Sequence, residues 1–208
     1  MRKWWEKVGF HLKTKYFDSK EQFVQWKLDD TLYRLICNVK KSYEQVAIIC
    51  IGTDRSTGDS YGPLTGHMLS CLPHDNFQLY GTFESPVHAL TLADTLEKID
   101  DTNTLVIAVD ASVGSADYVG YIGMTHAPIR PGSGLGKDLP AVGDISITGI
   151  AAESGMAPFL MLQNASLGMV YTMAEKTFRA IRMALSRIGQ ERVEEWVNDT
   201  QLLKRRLV

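Results

Sequence analysis

Residues 46–68, VAIICIGTDRSTGDSYGPLTGHM, constrain the fold of this chain more than any other stretch. They open with an uninterrupted apolar run over residues 46–51, which is rich in β-branched side chains and too short for a helix. Such a run is typical of a strand that is buried on both faces of a parallel sheet. A polar, glycine-containing loop follows from Gly52, and a helical pattern begins near Asp59. Strand, loop and helix in this order predict the start of a βαβ unit.

The rest of the chain continues the alternation of strands and helices. Residues 104–109 and 144–151 are also apolar enough for buried strands, whereas the glycines in residues 118–125 favour an antiparallel or edge strand. This order predicts an α/β protein, a three-layer α/β/α sandwich with a mostly parallel sheet. The predicted strands are residues 46–51, 77–83, 104–109, 118–125 and 144–151, and the predicted helices are residues 20–41, 59–72, 87–99, 167–188 and 191–203.

A chain of 208 residues most simply forms one globular domain. Residues 1–45 are interpreted as an N-terminal extension and helix, and residues 46–208 as the α/β/α domain. The first 20 residues combine basic and aromatic side chains, which suit packing on the domain but also a membrane surface or a nucleic acid. Packing on the domain is the favoured interpretation, and the tryptophans of this segment suggest self-association into a homo-oligomer.

Charge and cysteine usage narrow the location and the partners. The net charge of −2 gives no electrostatic reason to expect nucleic-acid binding, and no apolar stretch predicts a signal peptide or a membrane span. Cys37, Cys50 and Cys71 form no CxxC pair, which favours buried, reduced thiols over a disulfide framework. We therefore expect a cytoplasmic protein with neither a membrane nor a nucleic-acid partner.

Two carboxylates follow predicted buried strands. Asp59 lies in the loop after residues 46–51, and Asp110 comes directly after residues 104–109. If these strands are neighbours, both side chains face one crevice at the carboxyl ends of the sheet, where open α/β sheets bind ligands. Paired carboxylates can share a proton and activate water, or they can bind a metal. The alternative is structural, with Asp59 as a helix N-cap and Asp110 as a turn residue.

Further polar side chains accompany this pair. The loop after the first strand offers hydroxyl and backbone N–H groups near a helix start, which suits an oxyanion or a phosphate. It lacks the lysine of a P-loop. Residues 126–142, rich in glycine and proline, are predicted to form a long loop that covers the site. The candidate substrate-binding residues are Asp54, Arg55, Ser56, Ser60 and Thr148.

Three motifs carry a resemblance to a known family. They are GTDRSTGDSYGP at residues 52–63, VIAVDAS at residues 106–112 and LPAVGDISITGI at residues 139–150. Together they resemble the YyaC-type sporulation proteins of spore-forming bacteria. That family is similar to the spore germination protease and, more distantly, to the hydrogenase maturation proteases. The resemblance implies a phosphorylase/hydrolase-like α/β/α fold.

The resemblance also assigns roles to the two carboxylates. Asp59 and Asp110 match the acidic pair that is the proposed catalytic dyad of the germination protease. In the hydrogenase maturation proteases the equivalent acids bind a metal together with a histidine. The segment where that histidine is expected reads ISITGIAAE here and contains none, so we expect no metal and no cofactor. His126 is the remaining candidate for a third ligand.

The implied function is that of a sporulation-associated peptidase that activates water with the aspartate pair, in the forespore or the spore core. Its substrate would be a protein or peptide, with small acid-soluble spore proteins as the first candidate. The alternative is a catalytically inactive relative that binds a peptide or partner protein during spore formation. A third interpretation, a nucleotide- or phosphate-binding module, follows from the polar loop over residues 53–60.

Overall fold

The computed structural model describes residues 14–73, 77–132, 139–155 and 157–206, with side chains as far as residue 190. The predictions for residues 1–13 lie outside this part of the chain. The strands are β1 (Lys15–Asp18), β2 (Gln45–Cys50), β3 (Gln78–Tyr80), β4 (Thr104–Gly114), β5 (Tyr121–Thr125) and β6 (Ile145–Glu153). The helices are α1 (Val24–Cys37), α2 (Tyr61–Leu69), α3 (Leu92–Leu96), α4 (Pro158–Gln163) and α5 (Leu167–Arg206).

The six strands form one sheet in the order β1-β5-β6-β4-β2-β3. The strands β3, β2, β4 and β6 are parallel, β5 is antiparallel to β6, and β1 is antiparallel to β5. The apolar runs of β2 and β4 are buried side by side, in a register that ends with Cys50 opposite Val109. These two strands confirm the prediction of a buried parallel sheet from uninterrupted apolar runs.

Helices cover both faces of the sheet, which confirms the predicted three-layer arrangement. On one face, α1, α2 and α5 pack against alternate side chains of the strands, such as Ile48 and Ile107, in the larger core cluster. On the other face, Leu92 of α3 packs with Ile49 and Ala108 in a smaller cluster. The alternation follows from the strand period of two, because successive side chains point to opposite faces.

The first part of the chain contributes to this core. Strand β1 forms the sheet edge beside β5, and α1 buries Leu28, Leu32 and Ile36 in the larger cluster. Strand β5 is antiparallel, as its glycines suggested, but β1 takes the edge position. Much of the region that was interpreted as an N-terminal extension and helix is therefore part of the same packed unit.

Helices α1 and α3 begin four or more residues later than their sequence patterns predict. Helix α1 starts after Phe23, which adopts φ 63°, and not at residue 20. Helix α3 is limited to five residues. Its predicted first residue, Val87, instead forms a parallel bridge with Ile51 and accepts the Gly52 N–H at 2.8 Å, so this backbone is extended.

The sequence led to expectations about the cysteines and about membrane-spanning helices. Of the three cysteines only Cys50 is buried, and the prediction of burial is wrong for Cys37 and Cys71, although no disulfide forms. Within the described residues, no helix combines the length and the apolar character needed to cross a membrane.

Helix α5 runs without interruption through Gly189, where the sequence pattern predicted its end. Its 40 residues begin in the core, where Met173, Ala180 and Ile188 are buried. A Cβ placed on Gly189 would meet no heavy atom within 4 Å. A glycine inside a helix is therefore tolerated here, although it lacks the helix propensity of alanine.

We predict that Gly189→Ala stabilises the protein by about 0.5–1 kcal/mol, because alanine removes the entropic cost of glycine in a helix interior. Urea unfolding followed by circular dichroism measures this change. A loss of stability would mean that the helix ends at Gly189 in a left-handed conformation, as the sequence pattern predicted.

Candidate active site

A pocket of about 420 Å³ lies beyond the carboxyl ends of the parallel strands β2 and β4. Its walls come from the loop after β2, the last part of β4, residues 88–90, residues 131, 132 and 139, and α4. Asp59 and Asp110 both line it. The strands that precede them are direct neighbours in the sheet, which is the condition on which the predicted shared crevice depended.

Asp59 is held at the pocket by the backbone of its own loop. Gly52 has φ 138°, and a Cβ at this position would lie 2.0 Å from the Asp59 carbonyl oxygen. The same carbonyl accepts the Thr53 N–H at 3.2 Å. A glycine is therefore required for this loop to close. The residue at the N-cap of α2 is Ser60, so the structural alternative of Asp59 as N-cap is wrong.

Asp110 lies inside β4 and not in a turn after it. The ladder between β2 and β4 ends at the pair Cys50–Val109, but the ladder between β4 and β6 continues to Gly114 and Glu153. Asp110 is thus the first residue of β4 beyond its last partner in β2. The stagger between the two strand ends exposes its side chain to the pocket.

The pKa of Asp110 is raised well above that of an ordinary carboxyl group. Burial by the surrounding protein is the largest cause, although the residue keeps some exposure toward the pocket, and the negative charge of Asp59 is the second. A hydrogen bond from the Ala111 backbone N–H lowers the pKa and offsets part of this increase. The arrangement favours one proton on the pair, held by Asp110.

The five predicted substrate-binding residues separate into two groups. Arg55 and Ser56 line the pocket, and the buried Ser56 hydroxyl has no hydrogen-bond partner among the described residues. Asp54 is exposed to solvent and does not line the pocket. Ser60 is buried and does not line it either, and its hydroxyl donates a hydrogen bond to the Thr57 carbonyl at 2.6 Å. Thr148 lies opposite Asp110 in the register of β6, also outside the lining.

The sequence pattern did not indicate several side chains of this pocket. His88 lines it, and its Nδ1 accepts the Leu90 N–H at 3.3 Å. Phe159 and Leu162 reach it from α4. The sequence contains one indication of His88, because this residue follows the predicted strand at residues 77–83, and the loop after a parallel strand lies at the carboxyl edge of the sheet. The position of α4 depends on tertiary packing and left no local signal.

The expected absence of a metal stays a prediction. Among the described residues, no group of three or more histidine, cysteine, aspartate or glutamate side chains is placed to hold a metal ion. His126, the proposed third ligand, is partly buried but is not among the residues that line the pocket.

The raised pKa of Asp110 predicts how stability depends on pH. The folded protein retains a proton that the unfolded chain loses above the ordinary carboxyl pKa of about 3.9, so the free energy of unfolding falls as pH rises. This loss continues until the pH passes the folded pKa of Asp110. Asp110→Asn replaces the titrating carboxyl group by a neutral amide, so the variant lacks this loss. The free energy of unfolding of Asp110→Asn relative to wild type should therefore increase over that pH range and then level off.

Urea unfolding of both proteins at a series of pH values tests this expectation. Asp54→Asn is the matched control, because it makes the same substitution at an exposed position outside the pocket lining. If the curves of wild type and Asp110→Asn stay parallel at all pH values, Asp110 does not retain its proton in the folded state.

Comparisons with known proteins identify the family of this chain. A family model described as "Protein of unknown function (DUF1256)" matches residues 16–180. The chain is 44% identical to "Uncharacterized protein YyaC" of Bacillus subtilis (strain 168) over 137 residues, which are 65% of this chain and 67% of that protein. The resemblance of the three motifs to YyaC-type proteins is thereby confirmed. Because the family match includes the loop that carries Asp59, the strand that carries Asp110 and most of the rest of the chain, the protein belongs to the DUF1256 family.

Proposed function

We propose that this protein is an aspartate-dependent peptidase of spore formation, related to the spore germination protease and more distantly to the hydrogenase maturation proteases. The observation that supports it most is the pair Asp59 and Asp110 in one pocket, with the pKa of Asp110 raised by burial and by its neighbour. Two carboxylates that differ in protonation are the usual requirement for acid and base roles in one site. The motif resemblance to the germination protease supports the same function.

The proposed reaction is the hydrolysis of a peptide bond. Asp59 accepts a proton from water, whose oxygen attacks the carbonyl carbon of the scissile bond. Asp110 donates its proton to the carbonyl oxygen, which forms a neutral tetrahedral intermediate. When that intermediate collapses, the carbon–nitrogen bond breaks, the amine takes the proton from Asp59, and the hydroxyl proton returns to Asp110.

Other groups of the pocket would bind the substrate. The Ser56 hydroxyl, for which the described residues offer no partner, would donate a hydrogen bond to the substrate after a rotation of its side chain, and Arg55 would attract a carboxylate. Pro131, Gly132 and Leu139, from the loop predicted to cover the site, form another wall. The proposed substrates are small acid-soluble spore proteins, in the forespore or the spore core.

A second candidate is a binding protein without catalytic activity. Two large apolar side chains of the pocket are exposed, Leu90 by 86% and Phe159 by 51%, and they would bind an apolar segment whether or not it is cleaved. The phosphate-binding interpretation has less support, because the negative charge of Asp59 would repel an anion in the same pocket.

The test is to incubate the protein with small acid-soluble spore proteins and to follow cleavage by mass spectrometry. We expect Asp59→Asn and Asp110→Asn each to lower the rate by about 10²–10⁴-fold, the usual contribution of a general acid or base. Asp54→Asn is the matched control in the same loop and should cleave at the wild-type rate. A chelator should have no effect, whereas inhibition by a chelator would indicate the metal-dependent mechanism of the hydrogenase maturation proteases.

Cleavage that survives both substitutions would contradict the aspartate mechanism. If folded wild-type protein cleaves none of these substrates but binds them, and binding survives in both variants, the binding protein is the better description. Thermal unfolding of each variant distinguishes loss of activity from loss of structure.

A further inference from the structure

In the described part of the chain, no strand pairs with the last residues of β4 on the edge that faces β2. Strand β2 ends at Cys50. Within the described ranges, the last backbone hydrogen bond between this part of the chain and β4 runs from the Ile51 N–H to the Val109 carbonyl at 2.7 Å. Beyond it, residues 110–114 pair with β6 on the other side only, among the described residues. Residues 111–113 of this edge line the pocket, so a strand edge forms part of the wall.

The direction of the backbone groups follows from the strand alternation. The Val109 carbonyl points to β2, whereas the Gly114 carbonyl accepts the Ser154 N–H at 2.7 Å on the β6 side. Because successive residues of a strand point to opposite sides, Ala111 and Val113 direct backbone groups into the pocket. The register with β6 shifts between Ser112 and Val113, but β4 itself continues as a strand to Gly114.

Side chains of β4 itself form hydrogen bonds with backbone groups along this edge. The Ala111 N–H donates to the carboxyl group of Asp110, and the Val113 carbonyl accepts the Ser112 hydroxyl at 3.0 Å. Backbone groups that would otherwise lack partners are thus satisfied locally by groups that an incoming peptide can displace.

The two side walls suit the alternate side chains of an extended peptide. Leu162 packs in the larger core cluster and Leu139 packs against the smaller cluster, and both side chains line the pocket. A strand added to β4 would point one side chain to each wall in turn. Both walls are apolar, so the pocket offers side-chain contacts on both faces of the added strand.

We propose that the protein binds its peptide as an extended strand that adds to the free edge of β4 at residues 111–113, with apolar side chains directed to both walls. Strand addition is an established mode of peptide recognition, in which the backbone provides the hydrogen bonds and alternate pockets provide selectivity. The inference deepens the proposed function, since it places the peptide backbone beside Asp110.

Binding in this mode would affect the catalytic pair directly. A peptide carbonyl that accepts the Ala111 N–H removes the hydrogen bond that lowers the pKa of Asp110. The pKa would then rise further and Asp110 would keep its proton, as the proposed acid role requires.

The binding test uses the Asp59→Asn/Asp110→Asn variant, so that cleavage does not interfere. A phage-displayed library of random 12-residue peptides is selected on this protein, and the selected peptides are resynthesised with one N-methylated amide at a time. We expect N-methylation to weaken binding roughly tenfold or more at two positions that are two residues apart, because only the N–H groups that face the Ala111 and Val113 carbonyls pair with β4. A peptide methylated at the intervening position should bind as the parent peptide does.

Two measurements on the protein side locate the contact. Hydrogen exchange of the Ala111 amide should slow when the peptide binds. Ser112→Ala removes the hydroxyl that occupies the Val113 carbonyl, so peptide binding should be unchanged or tighter. Weaker binding in Ser112→Ala would show that the side chain and not the backbone edge contacts the peptide, and would contradict strand addition.

Failure of this inference is distinguishable from failure of the proposed function. A library that yields no binder, N-methylation effects without a period of two, or binders that leave the Ala111 amide unprotected would each overturn strand addition. Cleavage of the selected peptides by wild-type protein is scored separately. Binding with the alternating pattern but without cleavage would overturn the peptidase proposal and leave strand addition intact.

Discussion

The stagger between β2 and β4 is the constraint on which the site depends. Strand β2 ends at Cys50 while β4 continues to Gly114, because β6 supplies backbone partners along the additional residues. The stagger creates a space beside β4 that the loop after β2 borders, and it leaves Asp110 at the wall of this space. The pocket, the carboxylate pair and the free strand edge all follow from this one difference in strand length.

The site retains groups that a purely structural arrangement would avoid. The buried Ser56 hydroxyl, which has no partner in the described part of the chain, and the carboxylate of Asp59 beside Asp110 both lower the stability of the fold. Gly52 permits the close approach that positions Asp59. Unfavourable groups of this kind are concentrated at functional sites, where binding of a ligand can supply the missing interactions.

The sequence predicted the features that local patterns determine. The apolar runs of β2 and β4 and the polar loop between β2 and α2 indicated the layers and the shared position of Asp59 and Asp110. The extension of β4 past Val109 was not predictable locally, because residues 110–114, DASVG, form no apolar run and their partners in the described part of the chain lie on β6. His88 and Phe159 reach the pocket from distant parts of the chain, so no local pattern indicates them. Gly189 lies inside α5 because the residues on both sides of it are helical, although glycine is typical of a helix end.

The proposed acid role of Asp110 requires that this side chain retain a proton, which burial and the charge of Asp59 both favour. The most direct measurement is an NMR titration of the Asp110 side-chain carboxyl carbon in wild type and in Asp59→Asn. We predict that Asp110 titrates well above the ordinary carboxyl range in wild type, and at lower pH in Asp59→Asn because one cause of the increase is removed. An ordinary titration in wild type, unchanged in Asp59→Asn, would contradict the account.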